Sequence, residues 1–360
     1  MKARIFMHHK MAANIPYYFG AANSYFGFYN LFDHIFDPTD FRRIYLLKGG
    51  PGTGKSSFMK KIAATFDNGD YVIERIYCSS DPKSLDGVII ARGDSRIAII
   101  DSTAPHERDT RLPGAIDEII NLGELWDDRI LSAKRDKIKS LNIEKKKCYS
   151  AAYSYLEIAG KCENFVDDAY LSHFDEFGAK DKAEALLSSF SPSQRGKSHT
   201  RFISSFGKGG HHSLDVFSGE KYERKMLLGD IFPCQVFLNL CRDILEAKGL
   251  HHIRFASPLN PKKTDAILLP DENILIIRGD EGDIDCNTFF SLPDSDKEKI
   301  KQAKAMRDDG LAAAERWFKV ASEIHFELEE IYGMAMDFDK INPYIEKITM
   351  QIKDILENAI

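Results

Sequence analysis

The stretch KGGPGTGKSS, at positions 48–57, constrains the fold of this chain more than any other feature. The apolar residues 44–47 precede it, as expected for a buried parallel strand. Residues 56–64 follow it with apolar side chains at 58, 59, 62 and 63, the spacing of an amphipathic helix. A strand, a glycine-rich loop and a helix in this order form the context in which the pattern GxxxxGK[ST] binds phosphate. The sequence therefore predicts a nucleotide-binding loop.

The chemistry of the predicted loop follows from its residue types. Glycines allow the backbone N–H groups to converge on phosphate oxygens, and the helix N-terminus adds a partial positive charge. Lys55 is expected to reach the β- and γ-phosphates and to act in catalysis, and the Ser56 hydroxyl is expected to bind Mg²⁺. The predicted nucleotide-binding residues are Gly49, Gly50, Pro51, Gly52, Thr53, Gly54, Lys55, Ser56 and Ser57.

A second motif supplies a candidate metal ligand. Residues 97–100 are apolar and end at Asp101, as in a buried strand whose carboxyl end faces a ligand crevice. A β–α–β segment is predicted between the glycine-rich loop and this strand. Asp101 is therefore expected to bind Mg²⁺, through water, together with Ser56.

The loop after Asp101 contains the nearest candidates for positioning or deprotonating an attacking water molecule, His106 and Glu107. Ser102 takes the place beside Asp101 where many ATPases carry a catalytic glutamate. The alternative interpretation is a surface loop with a proline turn. Arg108 and Arg111 are weaker candidates for phosphate binding, because exposed arginines are common.

The segment CSSDPKSLDGVII, residues 78–90, follows a predicted strand at 71–77. Asp81 and Asp86 are candidates for facing the γ-phosphate or an acceptor hydroxyl. The simpler interpretation is that they cap a turn or a helix.

The second half of the chain matches the first in the same order, which indicates a duplication. The matched pairs of segments are 19–20 with 206–207, 43–47 with 225–228, 78–90 with 257–269, 97–100 with 274–277, and 151–156 with 313–318. The second copy has no GKS, carries Asp230, Ile231 and Phe232 where the loop is expected, and has Arg278 in place of Asp101. We therefore expect that only the first copy binds a triphosphate.

The helices predicted from apolar spacing complete the organisation. Each copy ends in a long helix or helical hairpin, around residues 138–169 and 300–331, and a last helix has isoleucines at 341, 345, 348, 352 and 355 on one side. The predicted fold class is α/β: P-loop NTPase-type, mostly parallel sheets with flanking helices, tandemly duplicated, with helical extensions. The predicted domains are 1–190, which binds the nucleotide, and 200–360, which is degenerate, with the polar stretch 188–200 as the boundary.

Composition limits the classes of protein to consider. Net charge is −6 and hydrophobic content is 43%, values that do not predict broad nucleic-acid binding but suit a globular protein. No apolar run approaches the roughly 18 residues of a membrane span, and the N-terminus does not resemble a signal peptide. The six cysteines lack CxxC spacing, and the histidine pairs lack metal-ligand spacing.

The basic run from Lys134 to Lys147 is interpreted as a solvated helix face, with contact to nucleic acid or an acidic partner as the alternative. We predict a cytoplasmic protein without a membrane partner.

The motifs KGGPGTGKS, CSSDPxSLDG and IIDSTAPH, followed by PGAIDEIINLGELWD at 113–127, resemble a family of poorly characterised bacterial tandem P-loop ATPases. The resemblance covers residues 17–165 well and the second half loosely. It implies an ATP-binding P-loop fold and a Mg²⁺ cofactor but no known substrate. Members of that family commonly carry a phosphate loop in both halves, and this chain departs from the pattern in the second half.

Three functions are consistent with these residues. The leading prediction is an Mg²⁺-dependent ATPase that couples hydrolysis to a conformational change. In it, the second half packs as a pseudo-subunit in an intramolecular pair, and it is a hypothesis that this half supplies an arginine. The alternatives are a small-molecule or nucleotide kinase and a nucleotide-gated interaction module that does not turn over. ATP is taken as the default over GTP, because no NKxD motif is found.

Overall fold

The computed structural model describes residues 15–190, 198–218 and 222–358. In this part of the chain, two six-stranded mixed sheets are flanked by helices, so the α/β class is confirmed at that level. Residues 191–197, in the middle of the predicted boundary at 188–200, lie outside the described residues. None of the described helices is both long enough and apolar enough to cross a membrane.

The first sheet has the strand order β1-β5-β6-β7-β4-β8. Pairs β1·β5, β4·β7 and β4·β8 are parallel, and β5·β6 and β6·β7 are antiparallel. A small antiparallel hairpin, β2·β3, stands apart from it. The strands of this half are β1 (Tyr17–Phe19), β2 (Ala21–Ser24), β3 (Gly27–Asn30), β4 (Arg43–Lys48), β5 (Val72–Tyr77), β6 (Leu85–Arg92), β7 (Ser95–Asp101) and β8 (Asp117–Asn121).

The second sheet repeats this arrangement, in the order β9-β13-β14-β15-β12-β16. Each pair has the same direction as its counterpart in the first sheet, and a second hairpin, β10·β11, matches the first one. The strands are β9 (His199–Arg201), β10 (Ser204–Gly207), β11 (Gly210–Ser213), β12 (Glu223–Leu228), β13 (Ile253–Ala256), β14 (Thr264–Leu269), β15 (Ile274–Arg278) and β16 (Ile284–Asp285). Equal strand order in both halves agrees with the predicted duplication.

The strand register within each sheet shows which residues of the two halves are equivalent. Leu47 pairs with Asp101 in the first sheet, and Leu227 pairs with Arg278 in the second, so Arg278 does occupy the position of Asp101. The same register corrects the match of 43–47 to 225–228. The equivalent strand residues are 43–48 and 223–228, because backbone pairing, and not apolar likeness, fixes the register. The match of 19–20 to 206–207 is wrong as well, because the hairpin register makes Asn23 the counterpart of Phe206, and the counterpart of Phe19 is Phe202.

The predicted β–α–β segment between the loop and Asp101 is wrong in its second part. One helix follows the loop, but residues 85–92 then form β6, which pairs antiparallel with β5 and β7. Residues 81–84 form a turn and not a helix, in which the Lys83 N–H donates to the Asp81 carboxylate over 3.1 Å. Residues Leu85–Ala91 are all buried, so apolar and polar residues do not alternate in this segment, and the sequence pattern did not indicate a strand.

Two long helices join the halves. The helices are α1 (Phe32–Ile35), α2 (Lys55–Phe66), α3 (Asp128–Ala133), α4 (Arg135–Leu171), α5 (Glu176–Leu186), α6 (Ile231–Lys248), α7 (Asp294–Ala335) and α8 (Ile341–Asn358), and 3₁₀ turns lie at 38–40, 122–125, 286–289 and 338–340. The predicted long helices are α4 and α7, and the last helix is α8. α4 and α7 run antiparallel, since Leu141 clusters with Leu328 while Tyr170 clusters with Ile300.

The terminal helix of each half packs on the opposite sheet. Ile348, Ile352 and Leu356 of α8 enter the core of the first sheet beside Tyr45 and Leu47. Ala183 of α5 and the adjoining Leu187 enter the core of the second sheet. The halves therefore exchange their terminal helices, and each sheet depends on a helix from the other half for part of its cover.

Candidate functional site

The glycine loop, residues 49–54, connects the end of β4 to the start of α2. Gly52 (φ +67°) and Gly54 (φ +82°) adopt the left-handed conformation, which glycine enters without steric cost. Gly54 caps the N-terminus of α2, so the loop curls at the end of a helix where N–H groups have no intrahelical partner. Thr53 is buried, and its hydroxyl donates to the Gly50 carbonyl over 2.8 Å.

Lys55, the first residue of α2, folds back over the loop. Its Nζ donates to the carbonyl oxygens of Gly49 (3.0 Å) and Gly50 (2.8 Å) and lies 3.6 Å from Oδ2 of Asp101. An ammonium group is thus held at the centre of the loop by two carbonyl groups and one carboxylate. The sequence placed Lys55 and Asp101 at one site, and the structure brings them together.

The two predicted metal ligands have defined hydrogen bonds. The Ser56 hydroxyl accepts from the Leu85 N–H over 2.9 Å, which fixes the start of α2 against β6. Oδ1 of Asp101 accepts from the Thr103 N–H (3.0 Å) and the Thr103 hydroxyl (2.5 Å). Burial raises the pKa of Asp101, and the nearby Lys55 ammonium opposes that change.

The His106 side chain is buried near Asp101 and Lys55. Its Nε2 lies 2.9 Å from Oδ2 of the buried Asp86, and the rings of Phe28 and Phe32 lie against it. Burial disfavours the charged imidazole, but the Asp86 carboxylate outweighs that effect, so the pKa of His106 is raised. Nδ1 of His106 is buried without a hydrogen-bond partner among the described residues. Asp86, which sequence reasoning treated as a candidate cap, is therefore the ion-pair partner of His106.

The side chains of Glu107, Arg108 and Arg111 form no hydrogen bond or ion pair with Lys55, Asp101 or His106 in the described part of the chain. Glu107 is exposed and lines a shallow depression with Lys48 and Asp109. Arg108 is buried and donates to the Phe36 carbonyl over 2.6 Å, and Arg111 pairs with Asp33 at 2.6 Å. Phe36 and Asp33 thus engage the two arginines, whereas the depression that Glu107 lines is bounded by Lys48, which precedes the glycine loop.

The C-terminal part of α7, which belongs to the second half, packs directly on the glycine loop. A Cβ atom placed on Gly52 would lie 2.8 Å from Cα of Glu329, and one placed on Gly50 would lie 2.8 Å from Cε1 of Tyr332. The backbone of the loop therefore touches α7 so closely that two of its glycines have no room for a side chain. This contact gives the glycines a packing role that the motif alone does not indicate.

Three residues near the loop, Lys145, His325 and Lys208, were not among the site residues predicted from the sequence. Lys145 of α4 lies 3.4 Å from Nδ1 of His325, and Nε2 of His325 lies 3.6 Å from the Glu329 carboxylate. Lys208, in the β10–β11 turn, pairs with Asp81 at 2.6 Å. Partial burial, and then the ammonium groups of Lys145, Lys55 and Lys208, lower the pKa of His325 to about 4.

A signal for Lys145 is present in the sequence, because this lysine interrupts the apolar spacing of α4. The sequence interpretation of the whole basic run as a solvated face holds for Lys146 and Lys147, which are exposed, but is wrong for Lys145, which is half-buried. Burial lowers the pKa of Lys145.

The equivalent region of the second half has no comparable loop. Only Gly229 and Asp230 separate β12 from α6, and Phe232 is buried at the helix start. Asp230 accepts from the Tyr170 hydroxyl over 2.6 Å and pairs with Lys304 at 3.0 Å. Ile231, expected to fill the site, is instead 49% exposed, because α6 turns that side chain outward.

An internal ion cluster lies beside that region. Lys263, which is buried, binds Glu163 at 3.1 Å and Asp167 at 2.6 Å. These two acidic residues come from α4, just as His325 and Glu329 come from α7 at the first half. Lys263 of the second half is therefore paired with acidic side chains that α4 of the first half supplies.

Comparison of the chain with protein-family models, with curated proteins and with solved structures gave no match.

Proposed function

We propose that the first half of the chain binds Mg·ATP at the glycine loop, in the manner of P-loop proteins, and hydrolyses it slowly. The observation that carries the proposal is the position of Lys55, whose ammonium group lies between two loop carbonyls and beside Asp101. Such a loop presents N–H groups and a cation to the same small volume, and polyphosphates are bound by that combination.

The residues around the loop also fit a hydrated Mg²⁺ ion. Ser56 uses one lone pair to accept from Leu85, which leaves its second lone pair free, and Oδ2 of Asp101 has Lys55 at 3.6 Å as its only described partner. Mg²⁺ is bound by few protein oxygens and keeps several waters, so a hydroxyl and a carboxylate suffice. When bound, it would neutralise charge on the phosphate oxygens.

The second half contacts the glycine loop directly, so a movement of the loop on nucleotide binding would act on that half. Glu329 and Tyr332 of α7 touch the loop, and α7 continues to Asp294, beside the second half-site. A loop that shifts to accept phosphate must move against this helix. The proposal therefore includes a change in the position of α7 on nucleotide binding.

A specific observation favours a second candidate, the nucleotide-gated module without turnover. His106 is buried and its Nε2 is ion-paired with Asp86, so this predicted water-positioning group is already engaged. General-base catalysis contributes about 10²–10⁴-fold, and turnover without it is expected to be slow.

The test is a phosphate-release assay with Mg·ATP, in the presence and absence of a pool of candidate acceptors. Basal release supports the ATPase, tight binding without release supports the gated module, and ADP formation only with acceptors supports the kinase alternative. Lys55→Ala should lose at least about tenfold in triphosphate affinity, because a charge-assisted hydrogen bond is removed, and should keep the native fold. Lys61→Ala, an exposed lysine on the same helix, is the matched control and should bind like the native protein. Absence of nucleotide binding by the native protein would refute the proposal.

A further inference from the structure

We propose that Lys208, supplied by the second half, completes the triphosphate site of the first half as a cation for the terminal phosphate. The inference rests on the proposed nucleotide binding and adds a residue that no nucleotide-binding motif contains. Three structural relationships carry it: the fixed position of the turn, the proximity of Lys208 to the loop from two sides, and the difference between the two halves.

The turn that carries Lys208 is held firmly against the first half. The Lys208 N–H donates to the Ser80 carbonyl over 3.4 Å, and the Asn23 side chain donates to the Phe206 carbonyl over 2.6 Å. A Cβ atom on Gly207 would lie 2.7 Å from the Ser80 oxygen, so the two backbones are in contact. Lys208 therefore has a defined position beside the first half and does not sample the solvent around a loose loop.

Two paths of contact place the Lys208 ammonium group near the glycine loop. On one side it lies 4.7 Å from the centre of the Phe326 ring, three residues before Glu329, whose backbone touches Gly52. Three residues of helix correspond to about 4.5 Å of rise. On the other side it pairs with Asp81, at the start of the turn that leads to Leu85 and hence to the Ser56 hydroxyl.

Ammonium and carboxylate groups both lie around Lys208. The Lys145 ammonium has His325 as its neighbour, and among the described residues no carboxylate lies within 4.0 Å of it. Lys55, Lys145 and Lys208 come from three different segments and surround the same end of α7. Carboxylates lie among these ammonium groups, with Asp81 2.6 Å from Lys208, Asp101 3.6 Å from Lys55 and Glu329 on the same part of α7, so a terminal phosphate would compete with Asp81 for Lys208.

The second half lacks both the loop and the lysine. Its opposite hairpin docks in the same way, with the Tyr25 N–H donating to the Leu259 carbonyl over 3.1 Å, but Tyr25 occupies the position of Lys208. A purely structural turn would not need a cation at one site and a phenol at the other. The lysine is thus found at the half-site that has the glycine loop.

The experiment compares Lys208→Ala, Lys208→Arg and the matched control Lys262→Ala. Lys262 makes the same type of contact at the second half, 5.2 Å from the Phe26 ring. Binding of a non-hydrolysable ATP analogue and of ADP is measured by calorimetry, and melting is measured without nucleotide. Lys208→Ala should weaken binding of the analogue about tenfold and of ADP less than twofold, because only the analogue has a third phosphate. Lys208→Arg should retain most of the affinity, and Lys262→Ala all of it.

A second variant separates phosphate binding from a structural ion pair. Asp81→Asn releases Lys208 from its carboxylate, so the analogue should bind severalfold more tightly, whereas a structural ion pair would give weaker binding. Equal losses for the analogue and ADP in Lys208→Ala, or no loss, would overturn the inference while leaving the proposed function intact. If the native protein binds neither ligand, the proposed function fails first.

Discussion

Phe19 and Phe202 exchange backbone hydrogen bonds in the middle of the molecule: the Phe19 N–H donates to the Phe202 carbonyl over 2.8 Å, and the Phe202 N–H donates back over 3.3 Å. Both residues are fully buried and occupy equivalent places, at the end of β1 and just after β9. A residue that pairs with its own counterpart lies on the approximate two-fold axis of the duplication. The two halves therefore meet as the subunits of a symmetric dimer do, within one chain.

The exchanged helix α8 provides the first prediction. Ile352 is fully buried in the core of the first sheet, so Ile352→Ala should lower the free energy of unfolding by about 2–5 kcal/mol. Met350, on the same helix, is 67% exposed, and Met350→Ala should change it by less than about 0.5 kcal/mol. Urea denaturation of both variants measures the difference. Similar values for the two would mean that α8 does not pack on the first sheet.

The contact between the glycine loop and α7 provides the second prediction. Gly52→Ala must place a Cβ against the backbone of Glu329 at positive φ, whereas Gly69→Ala meets positive φ in open space. The strain alone costs about 1–2 kcal/mol, and the forced overlap should add at least about 1 kcal/mol for Gly52. Thermal melting of the two variants gives the comparison. If Gly52→Ala melts no lower than Gly69→Ala, the loop does not lie against α7 as described.

The third prediction concerns pH and Asp265 in β14. Burial raises the pKa of Asp265 from 3.8 to about 6, although the Gln235 amide donates to it over 2.7 Å. The folded protein then binds the proton more tightly than the unfolded chain, so this contribution to stability is complete below about pH 4 and is lost as pH rises through about 6. The charged groups that act on Asp265 are those of Glu163, Lys263 and Arg254.

Asp265→Asn removes this titration. Its free energy of unfolding, relative to the native protein, should rise by about 1–3 kcal/mol between pH 4 and pH 7. Asp280→Asn, at an exposed carboxylate, provides the baseline and should show no such trend. Chemical denaturation at a series of pH values measures both. A flat difference for Asp265→Asn would show that the carboxyl group is not removed from water.

The sequence predicted the elements that depend on local pattern. The glycine loop, β4, α2 and β7 were predicted because their residue types and spacing are fixed over short stretches. The placement of Asp101 at the same site as the loop followed from the rule that strand carboxyl ends face the ligand crevice, whereas its pairing with Lys55 came from the structure. β6 was missed because both faces of that strand are buried and its alternation is absent.

The site beyond the motif was not predictable in the same way. Lys208 lies in a short turn that resembles any glycine-rich turn, and Glu329 lies on an ordinary helix. Their proximity to the loop depends on how the two halves pack, and contacts between residues so far apart in the chain leave no periodic trace in the sequence. Conversely, Glu107 follows His106 directly but is exposed while His106 is buried, because adjacent residues in a loop can point in opposite directions.

The sequence by itself determined a duplicated α/β chain with a complete glycine loop in one copy and no such loop in the other. Only the tertiary structure decided that α5 and α8 exchange places, that α7 packs on the glycine loop, and that Lys208 of the second half pairs with Asp81 of the first. The physical reason is that hydrophobic periodicity fixes which face of a helix is buried, but the same apolar face of α8 would suit either sheet. The connection through the long helices α4 and α7, which carry each terminal helix past the two-fold axis, selects the partner.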